Sequence, residues 1–192
     1  LCRLLAAGEV IAAPTETAYG LLADATNPVA VARVVKIKGR EPGKPLPVVV
    51  SDIKQVIKYT KLSFFERKLA IKFWPGPLTL VLKARTGLLA SAVLRRGTVG
   101  IRVSGSTWLR RLTETYGKPL VATSANLAGK PTLYNPDIVV KSLSNKGLQY
   151  LVDGGILKHR ATSTVVKINL SKVNILRSGA ISEFKLQRAL NK

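Results

Sequence analysis

Two short polar clusters offer the residue types that bind phosphate and carboxylate groups. The first is Lys-Gly-Arg at 38–40, followed by Lys44, so three cations stand within one short loop. The second is Thr-Ser-Ala-Asn at 123–126, on a turn that we expect to expose backbone N–H groups. Cations combined with free N–H donors are what a polyphosphate and a carboxylate need. The pairing predicts a nucleotide-using enzyme.

Better-known nucleotide and catalytic motifs are missing from the sequence. Segment 39–45 resembles a P-loop, but it has three residues between its glycines where four are needed, and Pro45 replaces the hydroxyl residue. His159 is the only histidine, so a histidine-based zinc site or a Ser-His-Asp triad is weakly supported, and we expect it at the surface. Catalysis would therefore rest on electrostatics and positioning, as phosphoryl and nucleotidyl transfer allow.

The charge of the chain points to a polyanionic partner. It has 31 Lys and Arg against 10 Asp and Glu, a net charge of +21 over 192 residues. RNA is the partner that this excess favours, and the alternative is a basic surface that is merely solvated. The cations are spread along the chain, which favours a groove or face over a disordered arm. Hydrophobic residues make up 46% of the chain, which excludes wholesale disorder.

The ends and the cysteine content suggest a compartment. Cys2 is the only cysteine, so no disulfide can form within the chain and a reducing cytoplasm is the default location. No apolar run approaches the length of a membrane span, and we expect no membrane partner. Residues 1–13 faintly resemble a secretion signal, but Glu9 divides the apolar stretch. We expect a first helix and strand of the mature fold there.

Helical and extended patterns alternate along the whole chain. This alternation predicts an α/β fold in one domain over residues 1–192. The predicted helices are Leu1–Ala7, Pro28–Lys38, Asp52–Tyr59 and Ser63–Phe73 with their caps, Trp108–Tyr116, a helix that begins at Asn135 or Asp137 and ends at Leu143, and Ile181–Leu190, capped by Ser178 or Gly179 with Ser182 nearby. The predicted strands are Val10–Ala13, Leu46–Val50, Leu78–Leu82, Val99–Val103, Leu120–Thr123, Tyr150–Val152 and Thr164–Ile168.

A set of short motifs follows a fixed order along the chain. They are PTETAYGL at 14–21, KGR at 38–40, KPL at 44–46, FWPGPLT at 73–79, GIRV at 100–103, TSANL at 123–127, STV at 163–165 and LRSG at 176–179. No single motif is decisive, but the ordered set is specific. It resembles the YrdC-like threonylcarbamoyl-AMP synthases, and the chain length is similar to the short, single-domain form of that family.

The resemblance implies a fold and a reaction. The fold is YrdC-like, a twisted, mixed, open sheet with helices packed around it and a deep cationic cavity. The substrates are L-threonine, bicarbonate or CO2, and ATP. The threonine amine captures CO2 as a carbamate, which attacks the α-phosphate of ATP and releases pyrophosphate, with Mg2+ carried on the ATP. The product, threonylcarbamoyl-AMP, feeds tRNA threonylcarbamoyladenosine modification, in which other proteins perform the final threonylcarbamoyl transfer.

The resemblance also implies roles for individual residues. Thr17, Arg102 and Ser163 match L-threonine contacts, and Arg102 is expected to bind the carboxylate because its planar fork meets both oxygens. Lys38 and Arg40 fall on a Lys-x-Arg signature and are the expected catalytic residues, neutralising phosphate charge at the reacting centre. The ATP-side positions are Arg40, Lys44, Thr98, Ser124, Asn126 and Arg177. No residue is expected to bind a metal.

Three positions depart from the family pattern. Val49 stands where many relatives have a histidine that contacts threonine. Ser104 stands where proline is common, and Tyr134 stands where a small hydroxyl residue is usual near the nucleotide. These departures concern single contacts rather than the activity.

Other interpretations compete with this one. A non-catalytic RNA-binding protein of the same fold would need only the charge, but it would give Thr17, Arg102 and Ser163 no purpose. A carbamoyltransferase-type domain of the same fold, using carbamoyl phosphate, normally belongs to a much larger chain. Taken singly, Arg102 could pair with a surface carboxylate and Lys44 could be a solvated turn lysine.

Overall fold

A computed structural model describes residues 1–41 and 43–191. Pro42, part of the predicted cationic loop, and Lys192 lie outside the described residues. The α-helices are α1 (Cys2–Ala6), α2 (Pro28–Lys38), α3 (Ile53–Tyr59), α4 (Phe64–Phe73), α5 (Thr107–Tyr116), α6 (Pro136–Leu143) and α7 (Glu183–Asn191). The strands are β1 (Ile11–Pro14), β2 (Tyr19–Asp24), β3 (Val48–Val50), β4 (Thr60–Lys61), β5 (Leu78–Ala84), β6 (Thr98–Val103), β7 (Leu120–Ser124), β8 (Tyr150–Leu151), β9 (Thr164–Asn169) and β10 (Lys172–Arg177).

These strands form one twisted sheet. Its order is β10–β9–β5–β6–β3–β7–β2–β1–β8, and β4 adds to β5. The pairs β3–β6, β5–β9 and β1–β8 are parallel. The other pairs are antiparallel. The mixed open sheet with packed helices, predicted from the sequence, is confirmed.

The two faces of the sheet are covered differently. Successive strand residues point to opposite faces, so Leu80, Leu82 and Ile101 enter the larger core, to which α2, α4 and α7 also contribute. On the other face, α1 and α5 build a smaller core around Leu22 and Leu120, over β1, β2, β3 and β7. The β5–β6–β9 part of that second face lines a cavity instead. The cavity therefore lies beside the smaller core.

Helix α2 shows how local sequence delivers a cation to this cavity. The Asn27 side chain accepts hydrogen bonds from two backbone amides of the first turn, and Pro28 occupies the first helical position, where its missing N–H costs nothing. Gly39 ends the helix in the left-handed conformation, at φ 56°. Lys38 and Arg40 therefore lie on either side of the residue that ends the helix, and both line the cavity.

Some predicted boundaries are wrong, for identifiable reasons. Strand β3 begins at Val48 rather than at Leu46, because Pro47 has no N–H to donate to a ladder. The sequence pattern predicts no strand at β2, yet β2 lies between β7 and β1. Helix α7 begins at Glu183, not Ile181, because the Ile181 carbonyl, which a helix would bond internally, instead accepts from the Thr164 hydroxyl at 2.8 Å.

Among the described residues, no helix is long and apolar enough to cross a bilayer. The organisation of residues 1–192 as one domain stays a prediction.

Candidate active site

One cavity brings together the residues predicted for the site. Its volume is about 770 Å³, and it is bounded by β5, β6 and β9, the end of α2 and the turn that follows β7. Its lining includes Thr17, Lys38, Arg40, Lys44, Thr98, Arg102, Ser124, Asn126, Ser163 and Arg177. Segments that are distant in sequence therefore converge on one space that holds several cations. The role of each residue stays a prediction.

Strand β6 sets the length of the cavity. Thr98, Gly100 and Arg102 alternate with core residues and line the cavity. A strand rises by about 3.3 Å per residue, so Thr98 and Arg102, four residues apart, are separated by about 13 Å along β6. The predicted ATP-side residue Thr98 and the predicted threonine-side residue Arg102 thus lie at opposite ends of one strand.

Arg102 is buried and paired with a carboxylate. Its Nη1 lies 3.0 Å from Oε1 of Glu16, and both side chains are largely shielded from solvent. Burial lowers the pKa of Arg102, and the charge of Glu16 opposes that change. Its partner is thus not the surface carboxylate that the sequence left open. Among the described residues Glu16 is the one polar partner of this guanidinium, so its other donors are available to the cavity that it lines.

Glu16 is a site residue that the sequence did not lead us to predict. The Ser104 hydroxyl donates to its Oε2 at 2.7 Å, and the Gly105 amide donates to its Oε1 at 3.1 Å. A signal was present, because Glu16 stands inside the first family motif. Ser104, one of the three departures from the family pattern, is therefore engaged at this site.

Lys38 holds a turn of the chain. Its Nζ donates to the carbonyl oxygens of Ser124 and Asn126 at 2.5 and 2.9 Å, and to Oδ1 of Asn126 at 3.2 Å. Burial, together with the charge of Arg40, lowers the pKa of Lys38 to about 8. Because an ammonium has three N–H donors, these contacts occupy all of them. The geometry supports positioning of the turn rather than direct contact with a phosphate.

The turn after β7 differs from its prediction. The amides of Ala125, Asn126 and Ala128 donate to backbone carbonyls at 2.8, 3.0 and 2.8 Å, so they are not free to bind an anion. No helix follows until α6 begins at Pro136. The expectation of exposed N–H donors is therefore wrong for these three amides. Ala125 is fully buried behind the turn, as expected, and Ser124 and Asn126 line the cavity.

The loop after α2 carries two of the predicted cations. Arg40 donates through Nε to the Lys44 carbonyl at 3.3 Å and through Nη2 to the Pro45 carbonyl at 3.1 Å, and burial lowers the pKa of Arg40. Lys44 Nζ lies 2.8 Å from Oε2 of Glu41, and both side chains are exposed. Exposed pairs of this kind are weak, so Lys44 can exchange Glu41 for a phosphate.

A second arginine stands next to the predicted threonine contacts. Arg177 Nη2 donates to the Ser163 hydroxyl at 2.9 Å and to its carbonyl at 2.8 Å. The Ser163 hydroxyl also lies 2.9 Å from Oγ1 of Thr79, another lining residue absent from the sequence-based prediction. Burial and the charge of Arg102 lower the pKa of Arg177. The predicted amino-acid and ATP positions are therefore contiguous.

Two of the remaining positions lie away from the cavity. Tyr134 stacks on His159, with ring centroids 3.8 Å apart and an interplanar angle of 25°. Neither residue lines the cavity, and His159 is exposed as predicted. Val49, by contrast, lines the cavity; it is buried, packs in the smaller core and pairs in register with Arg102. An apolar side chain therefore stands beside this arginine.

The described residues do not form a metal centre. Within 1–41 and 43–191, no group of three or more His, Cys, Asp or Glu residues is placed to hold a metal ion. Glu41 is the one acidic residue among those described that line the cavity, and it is paired with Lys44. The donor set does not fit Mg2+ held by the protein, which prefers carboxylate oxygens in octahedral geometry.

Comparison with protein families gives a match over most of the chain. Residues 3–179 match the model of the family Sua5_yciO_yrdC, described as "Telomere recombination". A protein of Methanocaldococcus jannaschii whose name includes threonylcarbamoyl-AMP synthase is 35% identical over 94% of this chain and 84% of its own. The Bacillus subtilis threonylcarbamoyl-AMP synthase is 35% identical over 97% of this chain and 54% of its own. The chain thus spans most of the first relative and about half of the second.

Solved structures give the same fold. The crystal structure of P. abyssi Sua5 complexed with L-threonine superposes with a TM-score of 0.88 at 31% identity, covering 98% of this chain and 55% of that one. The crystal structure of E. coli YciO gives a TM-score of 0.84 at 23% identity, covering 96% of this chain and 89% of that one. At that identity YciO shows the fold alone.

Proposed function

Because the chain belongs to the Sua5/YciO/YrdC family, we propose that it is an L-threonylcarbamoyladenylate synthase, a nucleotidyltransferase. It condenses L-threonine, bicarbonate or CO2, and ATP into threonylcarbamoyl-AMP and pyrophosphate. One observation carries this proposal: a single cavity holds both a buried arginine with open donors and the cations of the Lys-x-Arg loop. The L-threonine in the P. abyssi Sua5 structure supports the choice of amino acid.

Substrate binding uses the Arg102 end of the cavity. The threonine carboxylate pairs with Arg102, because a planar guanidinium receives two carboxylate oxygens at once. Thr17 and Ser163 supply hydroxyl groups for the amine and hydroxyl of the substrate. Arg177 already bonds to Ser163, so the amino acid and the phosphates lie side by side.

The chemistry then proceeds in two bond-forming steps. The neutral amine nitrogen of threonine bonds to the carbon of CO2 and loses a proton, which gives a carbamate. A carbamate oxygen then bonds to the α-phosphorus of ATP. The bond between that phosphorus and the oxygen that joins it to the β-phosphorus breaks, and pyrophosphate leaves. Arg40 and Lys44 neutralise the charge that develops on the phosphates. Lys38 contributes by holding the Ser124–Asn126 turn against them.

We propose that Mg2+ enters with the phosphates of ATP, because no described acidic cluster would hold it. When bound, it would neutralise phosphate charge. The residue roles above concern binding, orientation and charge on the protein side only.

The test is pyrophosphate release by the purified protein. With ATP and bicarbonate present, release should depend on L-threonine and should stop when threonine is omitted. The Arg33→Ala variant should keep the same dependence on threonine, because Arg33 pairs with Glu9 outside the cavity. Release that is independent of threonine in the unaltered protein would refute the assignment.

The large positive charge supports a further partner. We propose that tRNA, or another RNA, meets the basic surface, and that downstream threonylcarbamoyl-transfer proteins take over the product. The named activity of the relatives supports catalysis over a non-catalytic RNA-binding function. A cytoplasmic site of action agrees with the single cysteine, Cys2. RNA affinity that stays flat as salt is raised would exclude an electrostatic RNA surface.

A further inference from the structure

Glu16 joins three segments that meet at the edge of the cavity. It belongs to the turn between β1 and β2, in which the Thr15 hydroxyl donates to the Ala18 carbonyl at 2.7 Å. Its carboxylate contacts Arg102 at the end of β6, and Ser104 and Gly105 before α5. Both carboxylate oxygens are thus engaged by protein donors.

The Ser104 hydroxyl is itself fixed. Ser104 is fully buried, and its Oγ accepts a hydrogen bond from the Ser106 amide at 3.1 Å. With that lone pair engaged, its proton goes to Oε2 of Glu16 at 2.7 Å. The Arg110 guanidinium secures the same loop by donating to the Ser104 carbonyl at 2.8 Å. Glu16 therefore rests on a loop whose own bonds are satisfied.

The contact of Glu16 with Arg102 is one-sided. The ion pair joins Nη1 of the guanidinium to Oε1 of the carboxylate at 3.0 Å. A guanidinium can receive a carboxylate in parallel fashion on its Nε/Nη2 edge as well as on its Nη1/Nη2 end. Because Nη1 is committed to Glu16, the Nε/Nη2 edge is the one left for a ligand.

We propose that Glu16 is a positioning residue, which holds Arg102 by Nη1 so that its Nε/Nη2 edge receives the carboxylate of the amino-acid substrate, and that Ser104 fixes Glu16 for this task. This inference rests on the proposed function, since it concerns the same amino acid. Ser104 stands where the resemblance makes proline common, and proline has no side-chain hydroxyl. We call Glu16 and Ser104 the clamp, to which the Ser104 hydroxyl contributes one hydrogen bond.

A rival interpretation makes the opposite prediction. If Glu16 occupied the place of the substrate carboxylate, it would compete with threonine for Arg102. Removal of its charge would then lower the KM for threonine. If Glu16 only stabilised the fold, its removal would affect the use of threonine and of ATP alike. The direction and selectivity of the change separate the three cases.

The decisive variant is Glu16→Gln, which keeps the shape and removes the charge. We expect the KM for L-threonine to rise about tenfold, the KM for ATP to change less than about twofold, and kcat to be retained, since a charge-assisted contact that orders Arg102 is lost. The matched control is Glu9→Gln, because Glu9 also pairs with an arginine at 2.7 Å but lies outside the cavity. It should leave both KM values unchanged.

A second pair of variants keeps the test valid if Glu16→Gln folds poorly. Ser104→Ala should raise the KM for threonine about threefold, since it removes one hydrogen bond to a charged group. Ser104→Thr keeps the hydroxyl and should restore the unaltered value. Thermal unfolding of each variant identifies any loss of fold.

The outcomes of this experiment are distinct. A lower KM for threonine in Glu16→Gln, or equal rises in both KM values, overturns the inference while the proposed function stands. Absence of threonine-dependent pyrophosphate release in the unaltered protein overturns the proposed function before any variant is compared. If Ser104→Thr raises the KM for threonine as much as Ser104→Ala does, the hydroxyl of Ser104 has no part in holding Glu16.

Discussion

Two carboxylate clusters flank strand β2, and they are built in different ways. At its far end Asp24 is 2% exposed and accepts from the Thr26 amide and hydroxyl at 2.7 and 2.6 Å. Tyr116 and Lys118 donate to its other oxygen at 2.7 and 3.0 Å. Burial alone would raise the pKa of Asp24, but these hydrogen bonds outweigh it and lower that pKa.

Before β2 begins, both carboxylate oxygens of Glu16 also have protein partners, but its cationic partner Arg102 keeps N–H groups without an acceptor in the described part of the chain. Lys118 is half-exposed and is not among the residues that line the cavity, whereas Arg102 is buried and keeps donors toward it. A cluster whose cation opens only to bulk solvent contributes to stability. A cluster that leaves a buried cation with open donors is prepared for an anion. The predictions below test this contrast between a closed and an open cluster.

The largest effect should come from Arg102→Ala. We expect kcat/KM for L-threonine to fall about 10²- to 10³-fold, because a bidentate, charge-assisted contact in a shielded site is lost. The KM for ATP should change far less. Pyrophosphate release at varied threonine and saturating ATP measures the first value, and Arg33→Ala is the surface control. Equal losses for threonine and ATP would remove the assigned role of Arg102.

Asp24→Asn should lower the stability of the protein and leave its use of substrates unchanged. We expect unfolding free energy to fall by about 2 kcal/mol, since the amide cannot accept all the hydrogen bonds that the buried carboxylate takes. Both KM values should stay unchanged, because the cluster does not line the cavity. Urea unfolding gives the stability, and Glu9→Gln, in a more exposed pair, should cost far less. A changed KM for threonine would break the distinction between the clusters.

The pH dependence of stability should follow Asp24. Because its folded pKa is lowered, its stabilising contribution is fully present above the ordinary pKa of an aspartate, about 3.9. That contribution is lost as the pH falls through the folded pKa. The stability difference between the unaltered protein and Asp24→Asn should therefore be constant from about pH 5 to 8 and shrink toward pH 3. Urea midpoints across this range provide the check. A stability difference that grows in acid would contradict a lowered pKa of Asp24 in the folded protein.

The same contrast explains which features the sequence could predict. Arg102, Ser163 and Arg40 are predictable because they stand in ordered motifs. Glu16 stands in one of those motifs as well, but its partner lies far along the chain, and no local pattern indicates that pairing. The direction of the Lys38 ammonium is equally inaccessible from sequence, since it depends on where the turn after β7 folds back.

Strands were predicted or missed for a related reason. β5 and β6 alternate or run apolar in ways that indicate a strand. β2 is buried on both faces and includes Gly20 and Asp24, so it shows neither clear alternation nor a continuous apolar run. The predicted strands also omit β10, although half-buried Val173 and Ile175 alternate there with polar residues. The pattern of β10 was therefore sufficient for a prediction, whereas β2 owes its strand to the tertiary environment.

Lys38 sharpens the comparison, because it lines the cavity yet has every donor engaged within the protein. Its pKa is lowered to about 8, so raising the pH from 7 to 9 should remove one of the N–H donors that hold Ser124 and Asn126. The turn should then loosen, and ATP affinity should fall by a factor of about three, which makes this the smallest of the expected effects. Calorimetric titration with ATP at both pH values measures this. Lys38→Arg retains its charge over this range and should show a smaller pH dependence, whereas an equal dependence in both proteins would assign the effect to another group.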